Sequence, residues 1–126
     1  MKIGIVNAGN LGMSLAVPLA KRGHDVMLSK DTHPDQLQRR MRAFSLERGL
    51  NEAEIKKFKY GSLLDAANYG DVVIFSAYFP RLHHVLNELR NAGITFSGKI
   101  VIETMNALNV DADFNHYHDF EYMKRT

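Results

Sequence analysis

The run Asn7, Ala8, Gly9, Asn10, Leu11, Gly12 combines residue types suited to one task, the holding of an anionic group against bare main chain. Gly9 and Gly12 match the second and third positions of a G-x-G-x-x-G turn. There the second glycine lets the backbone approach a pyrophosphate, and the third lets helix pack closely on strand. Asn7 stands where the first glycine would make the tight turn, and asparagine is among the few residues with a side chain that tolerate positive φ. Amide groups at the start of the following helix, reinforced by the positive end of the helix dipole, would then face the anion. The competing reading is a turn that merely joins a strand to a helix. The chemistry such a site serves is hydride transfer by a nicotinamide dinucleotide, in which the cofactor reacts and the protein chiefly positions it. No triad is required, and no catalytic residue is assigned.

Three further stretches are candidates for the same site. Ser29, Lys30, Asp31 and Thr32 follow a short apolar segment at the place where the adenosine ribose is normally held. Lys30 occupies roughly the position where NAD enzymes carry an acid for the ribose hydroxyls, which favours the 2′-phosphate of NADP; Asp31 argues the other way, and both side chains could simply be solvated. Ser76, Ala77, Tyr78 and Phe79 leave a strand on the nicotinamide side, where Tyr78 or Phe79 either packs against the ring or covers the edge of the core. Asn106 bonds a carboxamide or substrate, or makes an ordinary turn bond. The tail pairs His116 and His118 with several carboxylates, but it lacks a third fixed ligand, so no metal is predicted and a polar tail is the simpler reading.

The elements that must position these residues are legible in the pattern. Ile3, Ile5 and Val6 make a first strand; Leu11, Leu15 and Leu19 share a helical stripe with Ala16, with Pro18 expected to kink the helix and Gly23 to end it. A second strand covers residues 25–28. Thr32, Pro34 and Asp35 read as a helix start, and Leu37, Met41 and Phe44 as its buried stripe, with Gln38, Arg39, Arg40 and Arg42 as a solvated face. Asn51 and Glu54 cap a short extra helix before a third strand near residues 57–60. Ser62 opens a helix bearing Leu63, Leu64 and Ala67 and closed by Gly70. Val72, Val73, Ile74 and Phe75 form a continuous apolar run, expected of a central parallel strand covered on both faces. Pro80 starts a helix with Leu82, Val85, Leu86 and Leu89, Gly93 ends it, and residues 99–103 make a fifth strand. Alternation of this kind predicts an α/β fold, a doubly wound parallel sheet of the Rossmann NAD(P)-binding type, in the order 3-2-1-4-5 by analogy. The dinucleotide-binding domain is assigned to residues 1–108 and a tail to residues 109–126.

With these residues in view, the chain resembles the NADP oxidoreductases that use a deazaflavin coenzyme, and more loosely the pyrroline-5-carboxylate reductases. The stretches that carry the resemblance are IGIVNAGNLG, GHDVMLSKDTHPDQL, DVVIFSAYFPRLHHVL and GKIVIETMNAL. Gly9, Asn10, Leu11 and Gly12 reproduce the family's Gly-Asn-x-Gly, whereas Asn106 and Leu108 reproduce only part of a Thr-Asn-Pro-Leu ending. The family's Ser-Asn-Ser-Arg after the second strand is here Ser29, Lys30, Asp31, Thr32. Members also continue into a mainly helical carboxyl-terminal domain that closes the substrate side and builds the dimer, which is not seen before Thr126. The resemblance implies NADP as cofactor, with NAD as the other possibility, and a deazaflavin, flavin or small-molecule substrate. A non-catalytic NAD(P)-binding or interaction module is the alternative.

Composition is consistent with this. The 126 residues suffice for one domain with a core of its own and include no cysteine; 24% are charged and the net charge is +2, so nothing argues for nucleic acid or membrane as a partner. No export signal is visible, and cytoplasm is the default expectation. Phe114, Tyr117, Phe120 and Tyr122 lie in a segment too short and polar for a second core, which points to packing on the domain or across a homodimer.

Overall fold

The computed structural model describes residues 1–31, 33–76, 82–104, 108–110 and 116–118, with only the backbone described at residue 82 and in the last two segments. Strands β1 (Lys2–Val6), β2 (Asp25–Leu28), β3 (Lys59–Tyr60), β4 (Val72–Phe75) and β5 (Ile100–Glu103) alternate with helices α1 (Asn10–Lys21), α2 (Pro34–Glu47), α3 (Glu52–Ile55), α4 (Leu63–Tyr69) and α5 (Leu82–Asn91). The five strands form one sheet in the order β3-β2-β1-β4-β5, every neighbouring pair parallel, as the alternation predicts. Successive residues of β1 face opposite layers. Ile3 and Ile5 join a core with Met13, Ala16, Val17, Leu37 and Met41 under α1 and α2, while Val6 joins a second core with Leu63, Ala66, Ala67, Val85 and Leu89 under α4 and α5. All four residues of β4 are buried, as its apolar run requires.

Helix α1 buries a different face from the leucine stripe. Gly12, Met13, Ala16 and Val17 are its buried residues; Leu15 and Leu19 flank the core and Leu11 is exposed. Small residues allow the helix axis to approach the sheet, which leaves the longer leucines at the rim of the contact. The helix runs through Pro18 to Lys21, and Gly23, at φ 84°, follows in a Schellman closure: Gly23 N–H donates to the Ala20 carbonyl and His24 N–H to that of Leu19.

Helix α2 starts later than its sequence suggests. Pro34 is its first residue, and the preceding His33, left-handed at φ 50°, is the N-cap residue and makes no side-chain cap bond. Thr32 lies outside the described residues. Two further predicted starts are present as reciprocal capping boxes, Asn51 with Glu54 and Ser62 with Asp65. Gly4, within β1, is required by a contact between elements that carries no local signal. A Cβ there would collide with the main-chain carbonyl of Ala66, so α4 lies directly on β1 at this point.

Strand β5 begins one residue later than expected and is exposed along its length, including Ile100, Val101 and Ile102. Beyond it, β6 (Leu108–Val110) and β7 (His116–His118) pair antiparallel as a separate two-stranded unit that the sequence reading did not assign. The start expected at Pro80 lies outside the described residues. His83 and His84 are both exposed, His84 bonding Glu88 at 2.9 Å, and His24 is half-buried.

Candidate functional site at the carboxyl edge of the sheet

The strands β1, β2 and β4 end side by side, and Asn7 is the residue that ties them together. It is left-handed, at φ 65°, in the place of the missing first glycine. Its N–H donates to Ser29 Oγ at 3.1 Å, and that hydroxyl donates to the Ile5 carbonyl at 2.9 Å. Its side-chain Oδ1 accepts from the N–H of Asp31 at 3.2 Å, and its carbonyl accepts from Ser76 Oγ at 3.0 Å. A neighbouring main-chain bond runs from Ala8 N–H to the Ser29 carbonyl at 2.6 Å. An asparagine therefore does more here than a glycine could: it adopts the turn and fastens the β2 loop to it.

Past Asn7 the chain opens into α1. Gly9 is the N-cap residue and no acid stands in the first turn, so among the described residues no side chain caps the leading N–H groups. Among the described residues, a Cβ at Gly9 would meet only Lys30 Nζ, at 3.8 Å, which leaves the main chain approachable beneath that ammonium. Gly12 is the opposite case. A Cβ there would lie 2.5 Å from Ser76 Oγ, 3.1 Å from Ile5 Cγ2 and 3.2 Å from Ala8 Cβ, so this glycine serves helix-on-strand packing.

Lys30 is half-buried, and its pKa is lowered, first by burial and then by the nearby Arg40 guanidinium, with Asp31 partly opposing. Arg40 comes from α2 and donates to Asn10 Oδ1 at 3.4 Å. Beside Lys30 and Asp31 opens a crevice of about 410 Å³, also lined by Pro34, residues 61–64 and Glu88. At the far side Thr104 Oγ1 donates to the Phe75 carbonyl at 2.9 Å, holding the end of β5 to that of β4.

Of the residues expected at the site, Asn7, Ala8, Gly9, Asn10, Leu11, Gly12, Ser29, Lys30 and Ser76 do converge on this edge. Ser29 needs correction as a ribose ligand: it is fully buried, and its hydroxyl is occupied within the protein. Ala8 is fully buried as well and presents no side chain to a ligand. Thr32, Ala77, Tyr78, Phe79 and Asn106 lie outside the described residues. Arg40 is exposed, as expected of the solvated face of α2, and it also reaches Asn10 across thirty positions of chain, a contact for which the sequence holds no local signal. Among the described residues no cluster of metal-ligating side chains occurs, and no helix is long and apolar enough to cross a membrane.

A parallel sheet in this order, with a glycine-rich turn opening α1 at its switch point, is the architecture of a dinucleotide-binding domain. The chain belongs to the coenzyme F420-dependent NADP oxidoreductase family, whose model matches residues 2–107. Its fold is similar to that of a protein from Arthrobacter sp. FB24 described as a candidate F420-dependent NADP reductase. The TM-score is 0.70 at 21% identity, over 94% of this chain and 51% of that one. It is also similar to an imine reductase from Pseudomonas sp., with a TM-score of 0.60 at 17% identity over 83% of this chain and 32% of that one. The chain thus spans about half the length of the first structure and a third of the second. No curated protein sequence matches it.

Proposed function

We propose that this chain binds NADP(H) along the carboxyl edge of its sheet and serves hydride transfer between that cofactor and a deazaflavin, a flavin or a small substrate. The observation that carries the reading is the uncapped start of α1 at Gly9, where main chain is approachable and Lys30 stands above it. Gly9, Asn10 and Leu11 would hold the pyrophosphate with main-chain N–H groups and Lys30 the ribose phosphate. Asn7, Ala8, Gly12, Ser29 and Ser76 keep the turn in shape. Thr32 belongs with the ribose, and Ala77, Tyr78, Phe79 and Asn106 with the nicotinamide side. When bound, the nicotinamide supplies the hydride donor or acceptor; the residues around it orient the ring and limit access of water.

Titration calorimetry of the purified chain with NADP and NAD tests the reading. NADP should bind more tightly than NAD, and a chain that binds neither refutes it. Because the chain is about half as long as the reductase-like structure it resembles, binding without turnover is the outcome that would favour a non-catalytic NAD(P)-binding module. A panel of deazaflavin, flavin and imine substrates separates the two. Cytoplasmic location and a homodimer belong to the same proposal.

A further inference from the structure

The resemblance implies an arginine four residues after the second strand, where this chain has Thr32. Two cationic side chains nonetheless converge beside the turn. Lys30 Nζ lies 3.8 Å from where a Gly9 Cβ would stand, and Arg40, ten residues on and one turn and a half into α2, bonds Asn10 Oδ1 at 3.4 Å. Gly9 and Asn10 are adjacent at the start of α1, so the two side chains reach neighbouring points of one short stretch from two different elements.

We infer that Arg40 is a specificity-determining residue which, together with Lys30, receives the 2′-phosphate of NADP. The inference rests on the cofactor reading above and adds to it a residue outside the glycine turn and the β2 loop. Holding two cations close to one another is unfavourable unless an anion joins them; the pKa of Lys30 is lowered first by burial and only second by Arg40. Asp31 offsets some of it. A phosphate dianion between the cations would offset the rest and would gain charge-assisted hydrogen bonds from the planar fork of the arginine, which suits phosphate geometry better than a lysine does. The bond from Arg40 to Asn10 has a long, weak geometry and an exposed donor, so a stronger acceptor would displace it at little cost.

The test compares the affinities of wild type, Arg40→Gln, Arg40→Lys and Arg39→Gln for NADP and for NAD by calorimetry on the full chain, with melting curves as a check of folding. Arg40→Gln should weaken NADP about tenfold and leave NAD nearly unchanged, with Arg40→Lys intermediate. The NADP loss should shrink at high salt, as expected of an exposed charge contact. Arg39→Gln removes the same charge one position away and should do little. If wild type binds neither cofactor, the cofactor reading itself falls. If wild type binds NADP but Arg40→Gln lowers both affinities equally, or Arg39→Gln matches its effect, that reading stands and the assignment of Arg40 is overturned.

Discussion

At the scale of single residues, the two glycines of the turn separate binding from folding. Gly9 has negative φ, and a Cβ there would make only ordinary contact with Lys30 Nζ among the described residues, so Gly9→Ala should change stability by no more than about 1 kcal/mol. It should nevertheless weaken cofactor binding by at least tenfold, the equivalent of about 1.4 kcal/mol, by blocking approach to the main chain. Gly12→Ala should instead cost about 1–3 kcal/mol of stability through overpacking, because the new methyl displaces the Ser76 hydroxyl and breaks its bond to Asn7. Urea denaturation of Gly12→Ala, Ser76→Ala and the double variant checks this. The double variant should recover part of the loss, and strictly additive costs would show that the hydroxyl is not the obstacle. Lys30 provides a pH signature. Its protonated form attracts the phosphate, and with a lowered pKa that form is lost as pH rises sooner than for an ordinary lysine. NADP affinity should therefore fall with rising pH below the usual lysine value of about 10.4 while NAD affinity stays level; parallel profiles for the two would argue against phosphate binding by Lys30.

At the scale of elements, the site depends on α4 being seated on β1, and two small features control that seating. Gly4 permits contact between the main chains, and Gly4→Ala, which drives a methyl into the Ala66 carbonyl, should cost more than about 3 kcal/mol. Ser62 opens α4 by accepting from the N–H of Asp65 at 3.1 Å, and Ser62→Ala should cost about 1 kcal/mol. Thermal melts with far-ultraviolet circular dichroism rank the two. Gly4→Ala as mild as Ser62→Ala would mean that the helix can withdraw from the strand without loss.

At the scale of the molecule, the sheet ends on a strand that its own helices do not cover. The register sets Ile100 and Ile102 beside Val72 and Ile74 on the side of α1, and Val101 beside Val73 on the side of α4 and α5. The three are 60%, 43% and 46% exposed respectively, enough to leave an apolar edge on an otherwise well-covered sheet. The aromatic residues Phe114, Tyr117, Phe120 and Tyr122 also require a surface. A twofold dimer to which the tail contributes would meet both needs. Light scattering should then give a dimeric mass for the full chain and a monomeric mass after removal of the residues following Val110. A monomeric full chain, or a truncated chain that remains dimeric, would exclude the tail as the contact.

Much of this architecture was determined locally. Capping pairs at Asn51 and Ser62, helix closure at Gly23, the apolar run of β4 and the left-handed tolerance of Asn7 are preferences of a few neighbouring residues, so they can be read along the chain. The parallel arrangement followed from alternation, because each right-handed crossover lays its helix on a face of the sheet, while the strand order came by analogy. What required the tertiary structure were the contacts made between elements. Which face of α1 is buried depends on how near the helix can come to the sheet, and Gly12, Ala16 and Val17 decide that rather than the leucines. Ser29 looked like a ribose ligand until β1 and the turn closed over its hydroxyl, and Gly4 looked like a gap in a strand until α4 was laid across it. Arg40 bonds Asn10 and acts on the charge of Lys30 only because α2 packs beside α1 on the same core. Local pattern fixes what each element is, since propensities act over a few residues, but distances between side chains from separate elements are set by packing and register, which no short stretch encodes.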